Sequence, residues 1–340
     1  IQGGAEPHRT VLHNRAAFER LQLLPRPFAD LHGGHTRLRL LGQDFAHPLL
    51  LAPVAYQCLV HPEGELASVR AAMALQAGFV CSTLSTHTLE DIAAAAHAAT
   101  QELGRGAPLW FQLYAQPERA HTLQLVRRAE AAGYSALVWT VDAAIKRSSF
   151  ALPRGVEPAN LRGLAAVRQT SQAGVGALVL GTPLADAAPG WDDLAWLRQQ
   201  TRLPLVVKGI LAPDQAREAV ARGADAIVVS NHGGRVMDGV PSPLDVLPAV
   251  RRAVDTVAPG TPLLLDSGVR CGTDAAKALA LGASAVLVGR PQLHALAVGG
   301  LVGVAHLLHL LRTELELAMA QLGCAQLPQL TPEVLWTPPP

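Results

Sequence analysis

The sequence predicts one (β/α)8 barrel spanning residues 1–340, and three observations carry that expectation. Eight short apolar runs recur, too continuous for strands with one wet face. Amphipathic helical stretches lie between them. The length of 340 residues suits one large barrel of about 250 residues with additions. A doubly wound parallel sheet satisfies the alternation as well, but eight units is the barrel count.

The first four strands are read at "PLLLAPVA" (48–55), "FVCST" (79–83), "LWFQLY" (109–114) and "ALVWTVD" (136–142). The second four are "LPLVVKGI" (203–210), "AIVVSN" (226–231), "PLLLDSG" (262–268) and "AVLVGRP" (285–291). Helices are read at "GELASVRAAMALQAG", "ERAHTLQLVRRAEAAG", "PDQAREAVARG" and "GTDAAKALALG". Several start at Pro, Thr or Asp and end at Gly, as helix boundaries do. One connection breaks the rhythm: residues 143–202, between strands four and five, carry Pro153, Pro158, Pro183 and Pro189 among glycines. A connection of that length is expected to be a lid over the barrel mouth. Within it, Asp192 and Asp193 are read as a helix start, where carboxylates favour the dipole.

Hydrophobic residues make up 49% and charged residues 16%, which excludes a disordered chain and supplies a large core. Aromatics are only 4%, so Ala, Leu and Val must fill it. A net charge of +1 gives no electrostatic case for nucleic acid or an anionic membrane. Cys58, Cys81, Cys271 and Cys324 are far apart and form no CxxC pair, so neither a disulfide framework nor a zinc motif is read. They are expected to be small free core thiols in a cytoplasmic protein. His306 and His309 share a helical face but lack a third ligand, and no metal is expected. His61, beside a helix start, is read as structural. The most apolar region, 293–311, is broken by three histidines and three glycines and is read as a buried helical region, not a membrane segment.

Chemistry in such barrels occurs at the C-terminal ends of the strands. Those ends carry Gln112 and Tyr114, Thr140 and Asp142, Lys208, His232 with Arg235, Asp266 with Arg270, and Arg290. Polar groups gathered at one end of apolar strands should converge. After strand seven come Gly268, Arg270 and Gly272, and after strand eight Gly289 and Arg290. Glycines admit backbone N–H groups to a phosphate, and arginines add charge. Asp142 and His232, on strands four and six, are expected to meet across the mouth as an acid–base pair. Arg235 suits a carboxylate clamp. Lys208 places a cation against a group that becomes anionic during turnover.

The motifs "APVAYQCLVHPEGE", "FQLY", "TVD", "VVKG", "SNHGGR", "LDSGVRCGTD" and "GRP" occur together and in order. Together they resemble the FMN-dependent L-2-hydroxy-acid oxidase and dehydrogenase family, which includes glycolate oxidase, lactate oxidase and mandelate dehydrogenase. The resemblance covers nearly the whole chain. It implies an FMN cofactor, a small 2-hydroxy-acid substrate oxidised to the 2-oxo acid, oxygen as acceptor, and a homotetramer. By it, His232 is the base, Asp142 its partner, and Tyr114 and Arg235 bind substrate. Lys208 lies beside flavin N1 and O2. Ser82, Gln112 and Thr140 contact the isoalloxazine, and the Ala55 backbone approaches N5. Asp266, Gly268, Arg270, Gly289 and Arg290 hold ribityl and phosphate.

Three departures stand out. The family's N-terminal tyrosine would precede Ile1. The usual segment with paired arginines after "TVD" is replaced by "AAIKRSSF", where Arg147 is the candidate second substrate arginine. Leu84 stands where glycolate oxidase has a tryptophan, which implies an altered pocket. A dehydrogenase using another acceptor, an isomerase on reduced flavin, and a flavin binder without turnover are the competing readings.

Overall fold

The structure, a computed structural model, describes residues 3–144, 152–164, 180–181, 185 and 188–336. Eight strands pair in parallel and close in chain order. They are β1 (Leu49–Leu51), β2 (Gly78–Ser82), β3 (Leu109–Leu113), β4 (Leu137–Thr140), β5 (Leu205–Ile210), β6 (Ala226–Val229), β7 (Leu263–Leu265) and β8 (Ala285–Val288). Each lies within or overlaps one of the eight apolar runs, and Val286–Val288 pair back on Leu49–Leu51 to close the ring. Helix α1 (Arg9–Arg20) precedes the barrel. The strands are followed in turn by α2 (Gly64–Leu75), α3 (Leu89–Leu103), α4 (Arg119–Ala131), α5 (Trp191–Gln200), α6 (Pro213–Ala221), α7 (Pro243–Asp255), α8 (Gly272–Ala280) and α9 (Arg290–Gln321). Local chemistry sets several boundaries. Thr88 caps α3 by accepting from the Asp91 N–H, and Ser242 with Pro243 opens α7.

Alternation along each strand divides the apolar residues between two cores. Leu50, Val80, Trp110, Val138, Val206, Val228, Leu264 and Leu287 fill the inside of the barrel. Their neighbours, such as Leu49, Phe79, Leu137, Leu205 and Leu263, pack outward against the helices. Two residues beyond each interior residue, on the same face, stand Ala52, Ser82, Gln112, Thr140, Lys208, Ser230, Asp266 and Gly289. The period of two thus stacks a polar layer directly on the apolar one, toward the C-terminal ends.

The other end of the barrel is closed by a hairpin of Leu38–Leu40 and Gln43–Phe45. Leu40 and Phe45 join the interior core, and Phe45 meets the Trp110 ring edge-on at 5.8 Å. The buried Trp110 Nε1–H donates to Gln43 Oε1 at 3.0 Å, and the Ser135 hydroxyl donates to the same oxygen at 2.7 Å.

His47, between this hairpin and β1, is 0% exposed. Its Nε2–H donates to the Leu75 carbonyl at 2.9 Å, which leaves Nδ1 to accept the Leu49 N–H. Burial pushes its pKa from 6.5 down to about 4, against the opposing pull of the Leu75 carbonyl. A depressed histidine stabilises the fold above its unfolded pKa, and that stability is lost as pH falls toward the folded value. Between pH 7 and pH 5 the loss from this one group is expected to be about 2 kcal/mol. Urea unfolding of the wild type and of His47→Gln, at both pH values with excess FMN, should show the wild type losing about 2 kcal/mol more than the variant between pH 7 and pH 5.

Two further elements brace the mouth of the barrel. From α1, Thr10 bonds Asp238 and Gly239, Asn14 bonds Asn231, and Arg15 bonds the Gly268 carbonyl and Asp274. From the long connection after β4, Asn160 is fully buried. It accepts the Leu89 N–H and donates to the carbonyls of Ser82 and Thr83 and to Ser85 Oγ. This part of the expected lid is therefore pinned to the loop after β2. The last stretch of the same span forms α5, where Asp193 accepts the Gly190 N–H as the helix-start reading required.

Helix α9 is long and apolar enough to cross a membrane. Its stripe of Leu296, Val304, Leu308, Leu311 and Leu315 is buried, but Val298, Val302 and Leu310 are exposed, so the burial expected of 293–311 holds for one face alone because the helix packs on the barrel from one side. Non-helical backbone at Gly299 and Gly300 kinks it. His61 packs there: a Cβ on Gly300 would lie 2.8 Å from its Nε2, in keeping with a structural role.

Candidate active site

The polar layer leads directly to the loop after β6. Strand residues give way at His232, Gly233 and Gly234 to three consecutive left-handed conformations, with φ of 57°, 66° and 72°. Glycines suit two of these positions, and the third is held by local bonds. The His232 N–H donates to Ser230 Oγ at 3.0 Å, the Gly233 N–H to Ser267 Oγ at 2.8 Å and the Gly234 N–H to Asn231 Oδ1 at 3.0 Å. Asn231 is itself locked in a reciprocal amide pair with the buried Asn14, at 3.0 and 2.7 Å.

This turn brings His232 Nδ1 to 2.9 Å from Asp142 Oδ1, so the two groups read from strands four and six do meet. The imidazole donates from Nδ1 to the carboxylate, which leaves Nε2 as the ring nitrogen able to accept a proton. Burial pushes the Asp142 carboxyl up, but the charge and hydrogen bond of His232 and the charge of Lys208 outweigh it. The net effect is a carboxyl below its usual range, ionised at neutral pH. Gly209, at a bulge between Lys208 and Ile210, has φ of 107°, and a Cβ there would lie 2.5 Å from Asp142 Cγ. The "VVKG" glycine thus makes room for the carboxylate.

Lys208 Nζ reaches Asp266 Oδ2 and Ser230 Oγ, each at 2.8 Å, and is almost fully buried. Burial pulls its pKa down, yet Asp266 and Asp142 together raise it above the usual lysine value. The ammonium is a fixed positive charge at the floor of the site.

Whether this layer fits a flavin nucleotide is tested by its unpaired atoms. Gln112 Oε1 accepts the Thr83 N–H at 3.2 Å and the Ser82 hydroxyl at 3.3 Å, which fixes the amide orientation. Among the described residues, Gln112 Nε2, Thr140 Oγ1 and Arg290 Nε are then buried and have no partner, an arrangement that asks for a polar ligand. Among the described residues, a Cβ on Gly289 would meet Ala52 alone, at 3.9 Å, so they leave the space before it open. Arg290 is held by the Gly233 and Gly3 carbonyls. Burial and then the charges of Arg235 and Arg270 drive its pKa down to about 10. Guanidinium groups that repel one another in a half-buried site favour an anion between them. The residues fit FMN: unpaired polar groups on β3 and β4 and a lysine on β5 would hold the ring, and arginines with an open glycine after β7 and β8 would hold the phosphate.

Tyr114 extends β3 in the same direction. Burial raises its phenol pKa, followed by the charges of Asp142 and Tyr56, while Arg235 opposes the shift. Tyr114, Asp142 and Arg235 therefore share one electrostatic neighbourhood. Ala55 lies half-buried beyond β1, and the Leu84 carbonyl accepts the Tyr56 N–H at 3.1 Å. Arg147 lies outside the described residues.

Two glycines in the expected phosphate loop answer to packing. A Cβ on Gly272 would lie 2.2 Å from the Leu315 nitrogen, and its N–H is taken by Glu314 at 2.6 Å, so it is not available to a phosphate. Gly268 is approached by Asn14 and Phe18 of α1 at 2.8 Å. Sequence reasoning did not single out Asn14, Asn160, Ser267 or Gly209 as site supports. Only Gly209 left a signal, as a glycine breaking an apolar strand beside a lysine.

An eight-stranded parallel barrel with unpaired polar groups in its upper layer, clustered arginines and an Asp–His pair at its rim has the features of a flavoenzyme barrel. Residues 1–337 match the FMN-dependent dehydrogenase family, and the chain belongs to that family. It is an FMN-dependent oxidoreductase of the 2-hydroxy-acid type, acting on a CH–OH carbon. An L-lactate oxidase of Alicycliphilus denitrificans is 51% identical over 342 residues, covering 98% of this chain and 90% of its own. A 4-hydroxymandelate oxidase of Amycolatopsis orientalis is 44% identical, covering 95% and 89%. Among solved structures, mandelate oxidase with (S)-2-phenylpropionate superposes with a TM-score of 0.84 at 40% identity, covering 99% of this chain and 92% of that one.

Proposed function

We propose that the protein oxidises a small L-2-hydroxy acid of the lactate class to the 2-oxo acid, with oxygen as the final acceptor. The 2.9 Å bond between His232 and Asp142, beside a cluster of arginines, carries this reading. Arg235 binds the substrate carboxylate, and Tyr114 donates to the substrate from a phenol that stays protonated. His232 takes one proton from the substrate at Nε2, and Asp142 stabilises the imidazolium that results. Lys208 offsets negative charge gathering on its side of the site. FMN, when bound, supplies the two-electron acceptor. Ser82, Gln112, Thr140, Lys208, Asp266, Arg270, Arg290 and the backbone of Ala55, Gly268 and Gly289 hold it. Oxygen is favoured because the relatives above are oxidases.

The same reading extends to a homotetramer in the cytoplasm. The exposed Val298 and Val302 of α9 support burial against another copy, and four free cysteines suit a reducing compartment.

Anaerobic mixing of the holoenzyme with L-lactate, L-mandelate or glycolate tests the proposal. The flavin band should bleach with at least one acid and return on admitting air, with one hydrogen peroxide formed per oxo acid. Persistent yellow with every acid would leave an isomerase or a flavin binder. Bleaching reversed by a dye but not by air would mark a dehydrogenase.

A further inference from the structure

Beside the flavin site, the loops after β1 and β2 bring together three side chains that no catalytic step uses. Cys58 lies on the single helical turn Gln57–Leu59, Glu65 in the first turn of α2, and His87 just before α3. Cys58 Sγ and His87 Nε2 are 3.4 Å apart, and both lie within 4.8 Å of a Glu65 carboxylate oxygen. We infer that Cys58, Glu65 and His87 form a binding site for one zinc-class divalent cation.

The donor set carries this assignment. Thiolate, imidazole and carboxylate are the ligands of a borderline-soft cation, and three of them with an open fourth position make a complete tetrahedral site with water. Zinc–sulfur and zinc–nitrogen bonds at tetrahedral angles place those two atoms about 3.6 Å apart. The observed 3.4 Å separation needs almost no adjustment, and a Glu65 carboxylate oxygen within 4.8 Å of both atoms is near enough to complete the set.

The electrostatics point the same way. Glu65 is 1% exposed, and its partners are the Gln57 and Thr86 N–H groups and the Thr86 hydroxyl, at 3.0, 3.0 and 2.7 Å. Among the described residues no ion pair to Glu65 is found, so this buried carboxylate has dipoles around it and no cation. Those donors orient the carboxylate, as outer partners orient the ligands of a metal site. On binding, the Cys58 S–H bond breaks, its proton leaves to solvent and a sulfur–metal bond forms. Neutral His87 coordinates through Nε2. The cation thereby ties the β1 loop to the β2 loop.

Zinc content measured by mass spectrometry tests the site. Wild-type holoenzyme, Cys58→Ser, His87→Ala and the double variant are equilibrated with Zn2+ and freed of excess by gel filtration. The wild type should keep one zinc per FMN more than each variant, with flavin content and spectrum unchanged in all four. His87→Gln replaces His87→Ala if the latter sheds its flavin. Equal zinc in wild type and double variant would place the metal on other surface histidines and overturn the site. Cadmium gives a second reading: a sulfur-to-metal ultraviolet band is expected in the wild type and not in Cys58→Ser. A wild type without that band also overturns the inference.

Discussion

Replacing His232 with alanine is expected to leave a yellow, FMN-loaded protein whose flavin is no longer reduced by substrate at a useful rate. The cofactor contacts argued above come from β1–β5 and from the loops after β7 and β8, so they survive the change. The substitution removes the imidazole held against Asp142 and leaves that carboxylate without its principal partner among the described residues. General acid–base groups contribute roughly 10²–10⁴-fold, and the bleaching rate in anaerobic stopped flow should fall by that factor. The left-handed backbone at 232 is held by bonds from the main chain of 232–234, so the turn itself should persist. Unchanged bleaching in this variant would remove His232 from the chemistry.

The second large effect is expected at a residue with no functional group. In Gly209→Ala, the added Cβ would lie 2.5–2.9 Å from three atoms of Asp142, and a φ of 107° is strained for any L residue. Backbone strain of this kind costs about 1–3 kcal/mol. The greater consequence is displacement of the carboxylate that orients His232. A misplacement of about 1 Å can cost around 10²-fold in rate, and kcat should fall by that order while FMN stays bound. A control separates this from general damage. If Gly209→Ala acts through Asp142, the double variant with Asp142→Asn should be no slower than Asp142→Asn alone. Additive losses would mean that the glycine serves the fold and not the pair.

Much of the molecule was legible beforehand because its code is local. Eight apolar runs gave eight strands, and alternation carried Gln112, Thr140, Lys208 and Asp266 to one face without any tertiary information. The "SNHGGR" turn announced itself through two glycines in a row beside charged residues. Less legible was the long connection after β4. Its prolines suggested a cover, whereas Asn160 within it is buried and bonded to the loop after β2. An asparagine in a polar loop carries no local sign of a partner more than seventy residues away.

Local periodicity in the sequence by itself determined the barrel, the order of its strands and which end carries the polar layer, since each follows from patterns a few residues long. Only the tertiary structure decided how the site is held. Asn14 meets Asn231, Gly209 clears Asp142, and Gly272 serves α9 in place of a phosphate, across separations that no short pattern encodes. These contacts depend on where whole helices dock, and docking is set by packing over the entire barrel.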